Sequence, residues 1–98
     1  MASSDANPPA VMRLSPRDNI AVALRPLKAG ESVMLDDVAL PVERNTAVGH
    51  KLAAQPIALG ELILKYSCPI GIAKTAIAPG AQINAQNVES GYLPPPGQ

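Results

Sequence analysis

The chain holds a single histidine, His50, in the run Gly49-His50-Lys51. An imidazole titrates near neutral pH and can take a proton from an anionic substrate such as a carboxylate. The ammonium of Lys51 is a compact positive charge suited to holding that carboxylate. The glycine before them lets the backbone turn sharply. Together these residues describe a place to bind an organic anion and move one of its protons. The plainer reading is a solvated turn histidine followed by a solvated lysine. No other stretch carries a complete active site. Cys68 is the only cysteine, so the sequence supports neither an intrachain disulfide nor a zinc cluster. With no base beside it in sequence, Cys68 reads as a small, partly buried apolar residue. Asp36-Asp37 offer too few oxygens for a divalent cation and read instead as the cap of a short helical turn. Glu31 and Glu61 follow turn glycines and read as solvated.

Ninety-eight residues make one domain. Residues 1–12, with Pro8-Pro9 and no apolar period, read as a flexible N-terminal segment. Residues 91–98, Gly-Tyr-Leu-Pro-Pro-Pro-Gly-Gln, read as an extended proline-rich tail. The folding unit is therefore expected at 13–90. A core of this size rarely yields more than about 3–5 kcal/mol of net stability without a staple, so an oligomer interface or a larger partner is the expected substitute. Aromatics are confined to Tyr66 and Tyr92, which leaves Val, Ile, Leu and Ala to fill the interior. The formal net charge is zero, which removes the electrostatic case for nucleic acid or an anionic membrane. No apolar run approaches the roughly 20 residues that span a bilayer. The N-terminus lacks the basic and apolar regions of a signal peptide, and with one free thiol this points to the cytoplasm.

The elements that must position His50 are short. Pro26-Leu27-Lys28-Ala29-Gly30-Glu31-Ser32-Val33, Pro56 to Ile63 and Ala76 to Ile83 share one pattern. Each has an aliphatic residue three before a glycine and a β-branched residue three after it. The physical content is an apolar anchor, a tight turn and entry to a short strand. After the first and third copies, Asp36-Asp37 and Gln86-Asn87 precede Val38 and Val88 as caps of single helical turns. Ile20, Val22 and Leu24 alternate with Ala21 and Ala23, a strand pattern. Leu62–Tyr66 and Ile70–Ala73 are further strands. Eleven prolines and seven glycines punctuate the chain, and no segment keeps a 3.6-residue period beyond about two turns. A compact, loop-rich, mainly β unit is predicted.

Residues 14–90 as a whole resemble a known family. Asp18-Asn19-Ile20-Ala21-Val22-Ala23-Leu24 opens the likeness. Leu27-x-x-Gly30, Gly49-His50-Lys51-Leu52-Ala53 and Ile57-x-x-Gly60-Glu61 continue it. Lys65-Tyr66-Ser67-x-Pro69-Ile70-Gly71-x-Ala73 and Ile77-x-x-Gly80 close it. This resembles the SAF-type N-terminal domain of the altronate/galactarate dehydratases, a small β-clip fold. The glycine turns alone are weak signals. Gly-His-Lys, with Lys-Tyr about fourteen residues on and then Pro-Ile-Gly, is specific to the dehydratase branch. The sequence departs from the altronate type after its last glycine turn. There Asn84-Ala85-Gln86-Asn87 stands where those members carry His-x-His-Asn. Ser67 also replaces a usual glycine, at a position where a positive φ would be disfavoured.

The resemblance implies a hydro-lyase component acting on hexonate or hexarate sugar acids. It implies a small subunit or N-terminal domain, closing over a site built mostly by a larger catalytic partner. His50 would be the catalytic group, with Lys51, Lys65, Asp18 and Asn19 binding substrate. Lys65 and Tyr66, adjacent in a strand, should face opposite ways, Lys65 to the substrate and Tyr66 into the core. No cofactor is expected in this chain, although the family implies a divalent metal in the assembled enzyme. The competing reading is a non-catalytic SAF module that binds a sugar acid or docks on a partner protein.

Overall fold

The computed structural model describes residues 9–89. Among them there is no helix. Eight short strands are present: β1 (Val11–Met12), β2 (Ile20–Ala23), β3 (Ser32–Leu35), β4 (Val38–Pro41), β5 (Lys51–Ala53), β6 (Leu62–Lys65), β7 (Cys68–Ala73) and β8 (Val88–Glu89). They form sheets β1-β2-β5, β3-β4 and β6-β7-β8, and every pairing is antiparallel. The mainly β expectation is what the structure shows. β1 lies just N-terminal to the expected edge at residue 13. Val11 pairs with Ala23 and is buried; a strand of two residues is too short to carry a period in sequence. Residues 1–8 and the proline-rich tail 91–98 lie outside the described residues.

Among the described residues the glycine turn occurs four times. Gly30, Gly49, Gly60 and Gly80 all take φ between 86° and 91°, a region costly for residues with a Cβ. In each copy the next residue donates its amide to the carbonyl three before it: Glu31 to Lys28, His50 to Ala47, Glu61 to Ala58 and Ala81 to Ala78, at 2.9–3.1 Å. Each glycine N–H bonds a neighbouring strand end, at Val42, Ala23, Ala73 and Ala53 respectively. The turns associate in pairs. Leu27 and Thr46 exchange both backbone bonds, and so do Ile57 and Ile77. The copy at Gly49 is hidden in sequence because Thr46 replaces the aliphatic anchor and Leu52 replaces the β-branched residue.

Two cores flank one central pair of strands. Across β2 and β5, Ile20 faces Ala53 and Ala21 faces Leu52. Large opposes small in each pair, so both faces close. Ala21, Ala23 and Leu52 join Val11, Leu27, Val33 and Leu40 in one core. Ile20 and Ala53 join Ile57, Ile63, Ile77 and Val88 in the other. The alternation in β2 therefore marks two buried faces rather than one buried and one wet. Leu24, beyond the strand, is exposed.

Four local expectations are corrected. Tyr66 is 64% exposed; with Ser67 it forms the two-residue turn between β6 and β7, at φ 55° and 63°. Asp36 and Asp37 form the equivalent β3–β4 turn, at φ 52° and 67°, and cap no helix. Two consecutive left-handed residues are the hairpin turn whose twist matches the flanking strands, and neither pair contains the glycine that would announce it. Cys68 is exposed, because it opens β7 opposite Lys65 at the hairpin end. After the last glycine turn, the amides of Asn87 and Val88 both bond the Asn84 carbonyl. Asn84 and Asn87, rather than Gln86, supply the side-chain caps of this single turn.

Candidate functional site

The position after the turn glycine has different uses in the four copies. Glu31 folds back to accept the Lys28 amide at 2.6 Å, and Glu61 accepts the Ala58 amide at 2.8 Å. Arg25 also engages Glu31. The Arg25 guanidinium first, and the Lys28 amide second, hold the Glu31 carboxyl below its ordinary range. His50 occupies the same backbone position, and its residue is exposed. The His50 turn is closed by its backbone bonds to Ala47 and Ala23, which leaves the imidazole for other chemistry.

Lys51 begins β5 and lies between Val22 on one side and Ile83 on the other, because the Ile83 amide bonds the Lys51 carbonyl at 2.9 Å. Its aliphatic stem can lie along these neighbours while the ammonium reaches water. His50 and Lys51 line a cleft with Gly49, Gln82, Ile83 and Asn84. Lys51, Ile83 and Asn84 also line an adjoining cleft of about 310 Å³ with Ile70, Ala85 and Val88. The two clefts make one groove with a polar end at His50 and an apolar end at Ile70 and Val88. A volume of this size is at the lower limit of small-molecule sites, roughly 300–1,000 Å³.

The other sequence-derived candidates lie elsewhere. Lys65 is half-buried opposite Cys68 and lines neither cleft. Asp18 is 1% exposed, and its two carboxylate oxygens accept the amides of Tyr66 and Ser67 at 2.9 and 2.7 Å. Asn19 is also buried; its amide donates to the Leu62 carbonyl and its oxygen accepts the Leu64 amide. That carboxamide stands in for a neighbouring strand where the β6–β7 register shifts between Ile63 and Leu64. Asp18 and Asn19 thus hold the second hairpin in place, and their polar atoms are turned away from the groove. Gln82, Ile83 and Asn84 are among the lining residues that the sequence-derived candidates leave out. Asn84 stood out there only as a missing imidazole. The signal that could have found the trio is the Gly49 turn, since a fourth copy implies a second turn pair and brings 80–84 beside 49–51.

Among the described residues no three His, Cys, Asp or Glu side chains come together as metal ligands. The described residues therefore offer no ligand set for a divalent ion. No described helix is long and apolar enough to cross a membrane.

Comparison with known proteins accounts for the whole described unit. The family model for the altronate/galactarate dehydratase SAF domain matches residues 9–91. The altronate dehydratase of Escherichia coli strain K12 is 40% identical over 73 residues, covering 74% of this chain and 15% of that protein. The altronate dehydratase of Bacillus subtilis strain 168 is 33% identical over 79 residues, covering 81% of this chain and 16% of that protein. The chain therefore spans about 15% of the length of these curated relatives. The matched region contains all four glycine turns, both cores and the groove at His50. The chain belongs to the altronate/galactarate dehydratase SAF-domain family.

Proposed function

We propose that this domain is the small subunit or N-terminal domain of a sugar-acid dehydratase and closes one side of an active site built mostly by a larger part. The observation that carries the reading is the groove itself. It places an exposed imidazole, an ammonium and a carboxamide together on an open surface. The reaction removes the proton α to a carboxylate and expels the β-hydroxyl as water. The resulting enol then tautomerises to a 3-deoxy-2-keto acid. Lys51 neutralises the carboxylate, which makes the α proton easier to remove. His50 takes or returns a proton from its side of the groove. A divalent ion in the assembled enzyme would have to draw its ligands from the larger part.

The test mixes the chain with a large dehydratase subunit and a hexarate or hexonate, and follows the keto-deoxy acid. The expected outcome is turnover that depends on the chain and falls by about a hundredfold or more in His50→Ala. Equal turnover by the large subunit alone, or unchanged turnover in His50→Ala, would reduce the domain to a non-catalytic binding module.

A further inference from the structure

We infer that Asn84 determines specificity in the groove, acting with Lys51 as a two-donor fork for one carboxylate of the ligand. The inference rests on the reading of the groove as a sugar-acid subsite. Asn84 stands on the wall shared by both clefts, and Lys51 is the cation on that same wall. The orientation of the Asn84 amide follows from its partners. Its oxygen must accept the Gln86 amide at 2.8 Å, because an NH2 group cannot accept. The NH2 group is thereby turned towards Gln82, whose oxygen it meets at a long 3.4 Å. A long bond to one partner leaves the second N–H as a donor for the groove. The bond from the Gln86 amide holds the carboxamide before any ligand arrives, and the backbone amide of Asn84 is tied to the Asn87 oxygen at 3.0 Å. Such a group donates and does not accept. It complements a carboxylate oxygen and suits a cation poorly. The apolar walls beyond it, Ile70 and Val88, offer no partner for a second carboxylate, so the rest of a diacid must point out towards the larger part.

Asn84→Asp separates this role from a structural one. Aspartate keeps the oxygen that accepts the Gln86 amide and remains a good cap, but it replaces the donor with a negative charge. Asn84→Ser is the neutral control, because serine keeps a capping oxygen and is too short to reproduce the amide donor. The probe is galactarate, titrated into the 98-residue chain while backbone amide resonances are followed by NMR. Saturable shifts at His50, Lys51 and Asn84 are expected in the wild type. Affinity should fall by at least about tenfold in Asn84→Asp and less in Asn84→Ser, with melting temperatures unchanged, as befits loss of a hydrogen bond to a charged group. Wild-type binding that both variants retain would overturn the role of Asn84 and leave the sugar-acid subsite standing. Absence of saturable shifts in the wild type would overturn the subsite reading and this inference with it.

Discussion

Asp18 holds two amides that have no other partner in their hairpin turn. Removing the buried carboxylate forfeits two bonds to a charged acceptor at once and leaves a gap in its place. Asp18→Ala is expected to lower stability by about 3 kcal/mol, and Asp18→Asn by roughly half as much, measured by urea unfolding. Ser67 shows the opposite balance. Its φ of 63° strains a residue with a Cβ, and its hydroxyl meets that of Ser15. Ser67→Gly relieves the strain but adds unfolded-state entropy. The net expectation is a gain of about 0.5 kcal/mol. A loss instead would mean that the serine pair outweighs the strain. At His50 the backbone role and the side-chain role are separate, so His50→Ala should leave the melting temperature within about 1 °C while altering any activity.

The glycine turn is one element used four times, and its copies differ in crowding. A Cβ at Gly30 meets nothing within 4 Å, whereas one at Gly80 falls on the Pro41 carbonyl oxygen. Gly30→Ala should cost only the left-handed backbone penalty of about 1–2 kcal/mol. Gly80→Ala must also push the β4 end away, and a loss above about 3 kcal/mol is expected in the same unfolding assay. The first turn carries its own pH dependence. The folded Glu31 carboxyl titrates below its unfolded value because of Arg25 and Lys28. Its stabilisation is therefore complete above the unfolded value and disappears as pH falls through the folded one. Glu31→Gln should melt below the wild type at neutral pH and converge with it under acid, and added salt should narrow the gap.

At the scale of the whole molecule, the central strands make the two cores interdependent. Leu52 and Ile20 project from one strand pair into opposite cores. Losing either side chain should loosen the sheet that both cores share. Leu52→Ala is expected to cost about 3 kcal/mol. Hydrogen exchange in both cores should accelerate together, in a single cooperative transition. Exchange confined to the core around Leu52 would show that the halves unfold separately. The same architecture explains how so small a unit keeps two apolar cores built from aliphatic side chains. Alanine opposite leucine or isoleucine brings the layers close without an aromatic residue.

Much of this protein was legible in the sequence. The glycine spacing, the alternation at 20–24 and the shortage of helical periods determined a mainly β unit. The Gly-His-Lys run determined where to look for proton transfer, because backbone chemistry and side-chain type are local properties. Other features depended on contacts between distant residues. Asp18 and Asn19 were read as substrate groups, yet they lie against Tyr66, Ser67, Leu62 and Leu64, more than forty positions away. Tyr66 was read as core, yet the hairpin register puts it at a turn. Lys65 was read beside His50, yet it stands on another sheet. Only the tertiary structure set the Gly49 turn within reach of Gln82 and Asn84. The bond from Ile83 to Lys51 that joins them spans thirty-two positions, and no periodicity within either segment encodes which edge the other will find.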